Sequence, residues 1–304
     1  TCYQNNDQTI MHILFYISRF GIGGIQTFVI QMAKELIKKE GIKVSIFCHY
    51  PELIDNSQNE AIPSEIEIYT LSKNKGKVVW VNRIRNILYK IFPNFDFKEW
   101  LTTRYFLMKI KKEQVDLIHN NIELGDYNVY RACKELNIPY ITTLHGAYKE
   151  ITKSSSQEEK DKYKPVFNDL LSAAANIVYL SPLNIKPFEV VLGSLKEAQR
   201  EKFVRVFNGL NLFKKEDMLA KPKDKIIFGL VARGVHHKGW EEAILAIIEL
   251  KKQNQGMRIE LRLYGASDYL DELKEKYKTY KDFILFCGAT NEPIKVVQEF
   301  TVGL

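Results

Sequence analysis

FGLVARGVHHKGWEEAI, residues 228–244, joins a strand to a helix through a charged turn. The run 226–232 is apolar almost throughout, the mark of a strand covered on both faces. From Trp240 to Ile248 the apolar residues fall at helical spacing instead. A strand that feeds a helix through a short turn is half of a βαβ unit, and βαβ units build parallel sheets. Between the two elements stand Arg233, Gly234, Lys238 and Gly239. Ligands of such sheets lie at the carboxyl ends of the strands. Two cations among glycines at that place read as a clamp for an anion, with two solvated surface cations as the plainer alternative.

The same alternation extends in both directions. Strands are expected at 11–18, 43–48, 66–70, 115–119, 140–144, 176–181 and 204–208, then at 226–232, 259–264 and 283–287. Helical patterns lie at 25–39, 77–91, 98–112, near 127–136, 240–252 and 268–280. Strands separated by such helices predict an α/β fold with parallel sheets. The polar stretch 211–225, with Pro222, is the best boundary. It divides the chain into two doubly wound Rossmann-like domains, 11–208 and 209–304. The second has three clear strands and a candidate fourth in FTVGL, so it reads as cut short. Residues 1–10, too polar for a signal peptide, read as a leader or as appended residues ahead of Met11, which opens the first strand.

Composition fits a globular chain: 304 residues, 45% hydrophobic and 27% charged. The longest apolar stretch, 170–185, is interrupted by Ser172, Asn176 and Ser181, and is too short for a membrane span. Cys2, Cys48, Cys133 and Cys287 are widely spaced and form no CxxC, so reduced thiols and a cytoplasmic setting are expected. Charge is unevenly placed. Residues 73–112 hold eleven Lys and Arg against Asp96 and Glu99, a net +9 in a chain whose total is +7. Trp80, Tyr89, Phe92, Phe95, Phe97, Trp100, Tyr105 and Phe106 are interleaved with those cations. This suits an anionic membrane surface at the inner face of a membrane, or a nucleic acid. The plainer alternative is a pair of ordinary surface helices.

Further candidates stand at strand ends. Gly21, Gly23 and Gly24 lie between the first strand and the first helix, where backbone N–H groups and the positive helix end can approach a phosphate. They are not a dinucleotide fingerprint, because Gln26 occupies the third glycine position of G-x-G-x-x-G and the second strand ends in Cys48 and His49, with no acid there to hold a ribose. A dehydrogenase is therefore disfavoured. His145 and Gly146 follow the strand 140–144, and His119 ends 115–119 with Asn120 and Asn121 after it. Two strand-end histidines in one sheet favour a site over two structural histidines. No Asp-x-Asp and no zinc spacing occur, so no metal is expected. For Arg233 and Lys238 the fitting anion is a diphosphate leaving group, on which negative charge grows as its bond to a sugar breaks.

Seven segments in order resemble one family: GIGGIQ, VDLIHNN, IPYITTLHG, VFNGLN, VARGVHHKGW, LYGASDYLDEL and LFCGAT. Together they resemble the retaining GT-B glycosyltransferases of the family-four type, over most of residues 11–304. There GIGGIQ stands where the family often has Gly-Gly-Ala-Glu, and VARGVHHKGW resembles its Gly-Arg-x-x-x-x-Lys-Gly. The resemblance implies two Rossmann-like domains facing a cleft, a nucleotide-sugar donor, no cofactor, and a glycan or lipid-linked acceptor of the cell envelope. It implies that Arg233 and Lys238 grip the donor pyrophosphate and that Gly23 and Gly24 approach it. It places His145 over the reacting sugar, Gly288 and Ala289 by the base, and His119 and Asn120 on the acceptor side. Nucleic acid is then not a partner. One departure stands out: the family's Glu-x7-Glu element is not present before Leu304. A fragment of a longer enzyme is the favoured explanation. A catalytically inactive accessory relative and a GT-B nucleotide-sugar epimerase are the alternatives.

Overall fold

The computed structural model describes residues 10–21, 23–50, 62–72, 75–93, 95–121, 127–146, 156–209, 220–290 and 292–304. Two compact units divide the chain, Thr1–Gly209 and Leu210–Leu304. In the first unit the order is β1 Met11–Ile17, α1 Gly24–Leu36, β2 Ile42–Cys48, β3 Glu67–Tyr69, α2 Lys75–Ile91 and α3 Phe97–Lys112. It continues with β4 Leu117–Asn120, α4 Tyr127–Leu136, β5 Tyr140–Leu144, α5 Gln157–Ala173, β6 Asn176–Tyr179, α6 Lys186–Leu192, α7 Glu197–Arg200 and β7 Phe203–Arg205. All its strands are parallel, in the order β3-β2-β1-β4-β5-β6-β7.

Both faces of that sheet are covered, which is why its central strands are apolar runs rather than alternating ones. In β1, Leu14 and Tyr16 join a cluster with Phe47, Phe106, Ile118, Val129 and Phe167. Phe15 and Ile17 turn the other way, against Val29, Ile30 and Ala33 of α1. The amphipathic stripe of α1 supplies that second layer, and Gly23 caps its start without any side-chain hydrogen bond.

The second unit repeats the plan in small: β8 Ile226–Val231, α8 Trp240–Gln253, β9 Ile259–Tyr264, α9 Asp268–Lys276, β10 Ile284–Gly288, α10 Pro293–Val297 and β11 Val302–Gly303. Its parallel order is β10-β9-β8-β11. The fourth strand in FTVGL therefore forms, pairing with β8. Trp240, Ile244, Ile247 and Ile248 of α8 pack on Leu261 and Leu263. In both sheets the winding reverses beside the first strand, between β1 and β4 and between β8 and β11. Crevices at such reversals are where open α/β sheets bind ligands.

Several sequence expectations need correction. The last strand of the first sheet ends at Arg205, not 208, because its neighbour β6 ends at Tyr179, the partner of Arg205, and offers nothing further to pair with. The helix expected over 268–280 stops at Lys276, and Lys278–Tyr280 form a separate 3-10 turn. A long helix, α5, lies where none was expected. Its sequence is rich in charge and carries Pro165 in its interior, which argues against a helix on local grounds. The apolar stretch 170–185 is the end of α5 and then β6, and no described helix is long and apolar enough to cross a membrane. Cys48, Cys133 and Cys287 are free thiols, while Cys2 lies outside the described residues. So do residues 211–219 of the expected boundary.

Candidate functional site

In the second unit every strand points its carboxyl end to the same edge. β8 ends at Val231, and Arg233 follows two residues later. The chain then makes a 3-10 turn, His236–Lys238, and passes through Gly239 at φ 75°, a left-handed conformation that favours glycine. α8 begins at once, with Gly239 as its cap and no side chain covering its first amides. The turn is fixed from beneath. The buried Trp240 indole donates to the Arg233 carbonyl at 3.0 Å. A side chain on Gly265 would stand 2.7 Å from the Ala232 carbonyl, and one on Gly234 would stand 2.3 Å from Ser267 Oγ. The turn after β8 and the turn after β9 are therefore packed backbone to backbone.

Arg233 and Lys238 are both exposed, and among the described residues neither makes an ion pair or a side-chain hydrogen bond. Two unpaired cations on a rigid turn, beside uncapped helix amides, can hold an anion with several oxygens. Gly288 and Ala289 close β10 at the same edge, exposed, with Gly288 at φ 75°. His236 lies with its ring centroid 3.7 Å from that of Tyr269. The described residues contain no group of His, Cys, Asp and Glu that could hold a metal.

In the first unit the corresponding edge carries His145. Its Nε2 lies 3.0 Å from Asn121 Oδ1. The Asn121 amide nitrogen in turn donates to the His119 carbonyl at 3.0 Å. That second bond fixes which end of the amide is oxygen, and an oxygen only accepts. His145 Nε2 must then carry the proton. Burial lowers the His145 pKa to about 4, so the ring is neutral near pH 7 and Nδ1 is its acceptor. Phe28 of α1 stands edge-on to this ring at 5.2 Å. Asn184 holds the next residue in place: its amide donates to the Gly146 carbonyl while its oxygen accepts from Leu180 N at 3.1 Å and Ser181 N at 2.8 Å.

His119 and Asn120 sit deeper. His119 Nε2 is 2.7 Å from Thr143 Oγ1, and burial, with the nearby His145 adding to it, lowers its pKa to about 4. Asn120 is buried and donates to Tyr140 Oη at 2.7 Å. Both are bonded within the sheet, and the neighbour that meets His145 is Asn121. Gly23 lies under the amide of Gln26, which also reaches the Arg19 carbonyl at 3.0 Å, while Gly24 faces open space.

Sequence reasoning missed Asn121, Asn184 and a third strand-end histidine. His49 follows β2, bonds Tyr16 Oη through Nδ1, and meets Glu99 of α3 at 2.9 Å through Nε2. The doubled asparagine of LIHNN was the one available signal for Asn121.

The profile of Glycosyltransferase Family 4 matches residues 22–184, more than half of the chain. The chain belongs to that family. No curated protein sequence matches it significantly. Among solved structures, a glycosyltransferase from Rickettsia africae is similar at 18% identity and a TM-score of 0.65, over 96% of this chain and 72% of that one. HepE of Anabaena, in complex with UDP-glucose, aligns at 16% identity and 0.63, over 96% and 73%. A structure of S. aureus TarM with UDP and alpha-GlcNAc-glycerol aligns at 11% and 0.60, over 96% and 80%. At such identities the likeness shows the fold, which is GT-B.

Proposed function

We infer that this family member moves a sugar from a nucleotide-sugar donor, with retention, to a glycan or lipid-linked acceptor of the cell envelope. The observation that carries the donor half is the pair Arg233 and Lys238, unpaired, on a turn that glycines hold against the next strand end. The HepE structure contains UDP-glucose and the TarM structure UDP, and that supports a nucleoside diphosphate as the anion here. As the glycosidic bond lengthens, charge on the diphosphate rises. Cations already in place then stabilise the transition state more than the ground state. The backbone at Gly288 and Ala289, open and on the same edge, is suited to meet the base. No metal is needed for this arrangement, since the leaving group is neutralised by side chains.

The first unit supplies His145, neutral and presenting Nδ1 as an acceptor for a sugar hydroxyl, and the glycine turn at Gly23 and Gly24. Retention and the cell-envelope acceptor rest on the resemblance to the family. The test is calorimetric titration with UDP, GDP and ADP. Arg233→Ala and Lys238→Ala should each weaken the preferred diphosphate by about 1.5–3 kcal/mol, the worth of a hydrogen bond to a charged group. Unchanged affinity in both would refute the assignment. An epimerase would be recognised by turnover of nucleotide sugar without any acceptor.

A further inference from the structure

α2 is an unusual helix for a folded domain, because none of the residues whose burial is described along it is buried. It is nevertheless rich in apolar residues. Trp80, Ile84, Ile87 and Ile91 fall at i, i+4, i+7 and i+11, one stripe of the helix. Trp80 is 63% exposed, Ile87 60% and Ile91 62%. Phe92, Phe95 and Trp100 continue the exposed apolar surface through the turn into α3, and Phe97 stacks on Trp100. On α3 the outward line is Trp100, Arg104, Met108 and Lys111, with Lys112 beside it. Arg83 and Lys90 flank the α2 stripe, both exposed.

Both acids of this region already have partners, Asp96 at the surface and Glu99 against a buried ring. Asp96 pairs with Arg85 at 3.1 Å and caps α3, and Glu99 binds the buried His49. The outer surface is thus apolar and cationic. We propose that the exposed face of α2 and α3 docks on an anionic lipid surface, with Trp80, Ile87 and Ile91 entering the headgroup boundary and Arg83, Lys90, Arg104, Lys111 and Lys112 meeting lipid phosphates. Charge complementarity selects this occupant. A second copy of the same face would bring these cations against one another. A nucleic acid would meet the cations and the aromatics, but it offers nothing apolar to Ile87, Ile91, Val79 and Met108, whereas acyl chains do. Each cation near such a surface strengthens binding about fivefold, and two signals, apolar and basic, suffice for reversible attachment. This inference is independent of the sugar-transfer reading.

The test is co-sedimentation of the protein with vesicles of phosphatidylcholine alone and of phosphatidylcholine mixed with phosphatidylglycerol. Binding to the mixed vesicles only, weakening as salt is raised, is expected, with a blue shift of tryptophan emission. Arg104→Gln/Lys111→Gln/Lys112→Gln should lower binding about a hundredfold. Trp80→Ser/Ile87→Ser/Ile91→Ser should abolish the blue shift while leaving the circular dichroism and melting temperature near those of the parent, since these side chains are already in water. Equal binding to both vesicle types overturns the proposal, as does no binding at low salt. Preference for an RNA oligonucleotide over the mixed vesicles, or a dimer that the serine variant dissolves, overturns it equally.

Discussion

At the scale of single residues, Asn121 decides what His145 can do. One amide, donating to the His119 carbonyl and accepting from His145 Nε2, sets the tautomer of a neutral ring. Leucine at this position fills the same volume and can do neither. Asn121→Leu should leave a ring N–H and a carbonyl unpaired, costing about 1–3 kcal/mol of stability. It should also let the proton move to Nδ1, so that the acceptor is lost. Nitrogen-15 shifts of the His145 ring read this directly: a shift of protonation from Nε2 to Nδ1 is expected, and an unchanged tautomer would show that the ring is held otherwise. The two histidines also set a pH dependence. Burial depresses both from 6.5 to about 4, so below pH 6.5 the unfolded chain takes up protons that the folded one refuses. Their contribution to stability is therefore complete above pH 6.5 and is lost as pH falls towards 4. His12 is depressed in the same direction, first by burial. Denaturant titrations between these limits should show stability falling with pH, and His119→Asn should flatten the slope. An equal slope in the variant would place the effect elsewhere.

At the scale of elements, the strands were legible because burial on two faces leaves an apolar run that needs no partner to be recognised. Ile226–Val231 is a case in point, whereas Ile259–Tyr264 shows instead as an alternation, with Glu260 and Arg262 between Ile259, Leu261 and Leu263. The placement of Arg233 and Lys238 was legible too, since it depends only on the strand before them and the helix after. Asn121 and His145 are 24 residues apart, and His49 and Glu99 are 50 apart. Only the register of the sheet and the packing of α3 bring them together, and no local pattern records either. α5 was missed for the opposite reason: its local signals, charge and Pro165, speak against a helix that tertiary contacts of Phe167, Leu170 and Leu171 enforce. The turn after β8 offers a test at this scale. Gly265→Ala puts a methyl group 2.7 Å from the Ala232 carbonyl and 2.8 Å from the Trp240 ring. Neither neighbour can yield easily, since one is backbone and the other is a buried indole. The overpacking should lower stability by about 1–3 kcal/mol and weaken diphosphate binding, although residue 265 lacks any side chain that could touch it. Gly256→Ala, where open space surrounds the new methyl, is the control and should change neither.

At the scale of the whole molecule, the two units repeat one winding pattern but carry different chemistry. In Thr1–Gly209 the strand ends offer neutral histidines and asparagines, suited to hydroxyl groups. In Leu210–Leu304 the strand ends offer uncompensated cations and open backbone, suited to phosphate. A ligand that binds only the folded form stabilises it by an amount set by its concentration over Kd, about 2.7 kcal/mol at a hundredfold excess. If the diphosphate belongs to Arg233 and Lys238, that stabilisation should enter through the second unit. Hydrogen exchange of the intact chain in the presence of the preferred nucleoside diphosphate measures where it enters. Amides from β8 through the turn at 233–239, and those at the ends of β9 and β10, should slow most. The slowing should vanish in Lys238→Ala, whose side chain is exposed and whose loss should leave the fold intact. Slowing confined to β1, β4 and β5 would instead place the phosphate at the glycine turn of the first unit, and the cationic turn would lose its role as the donor site.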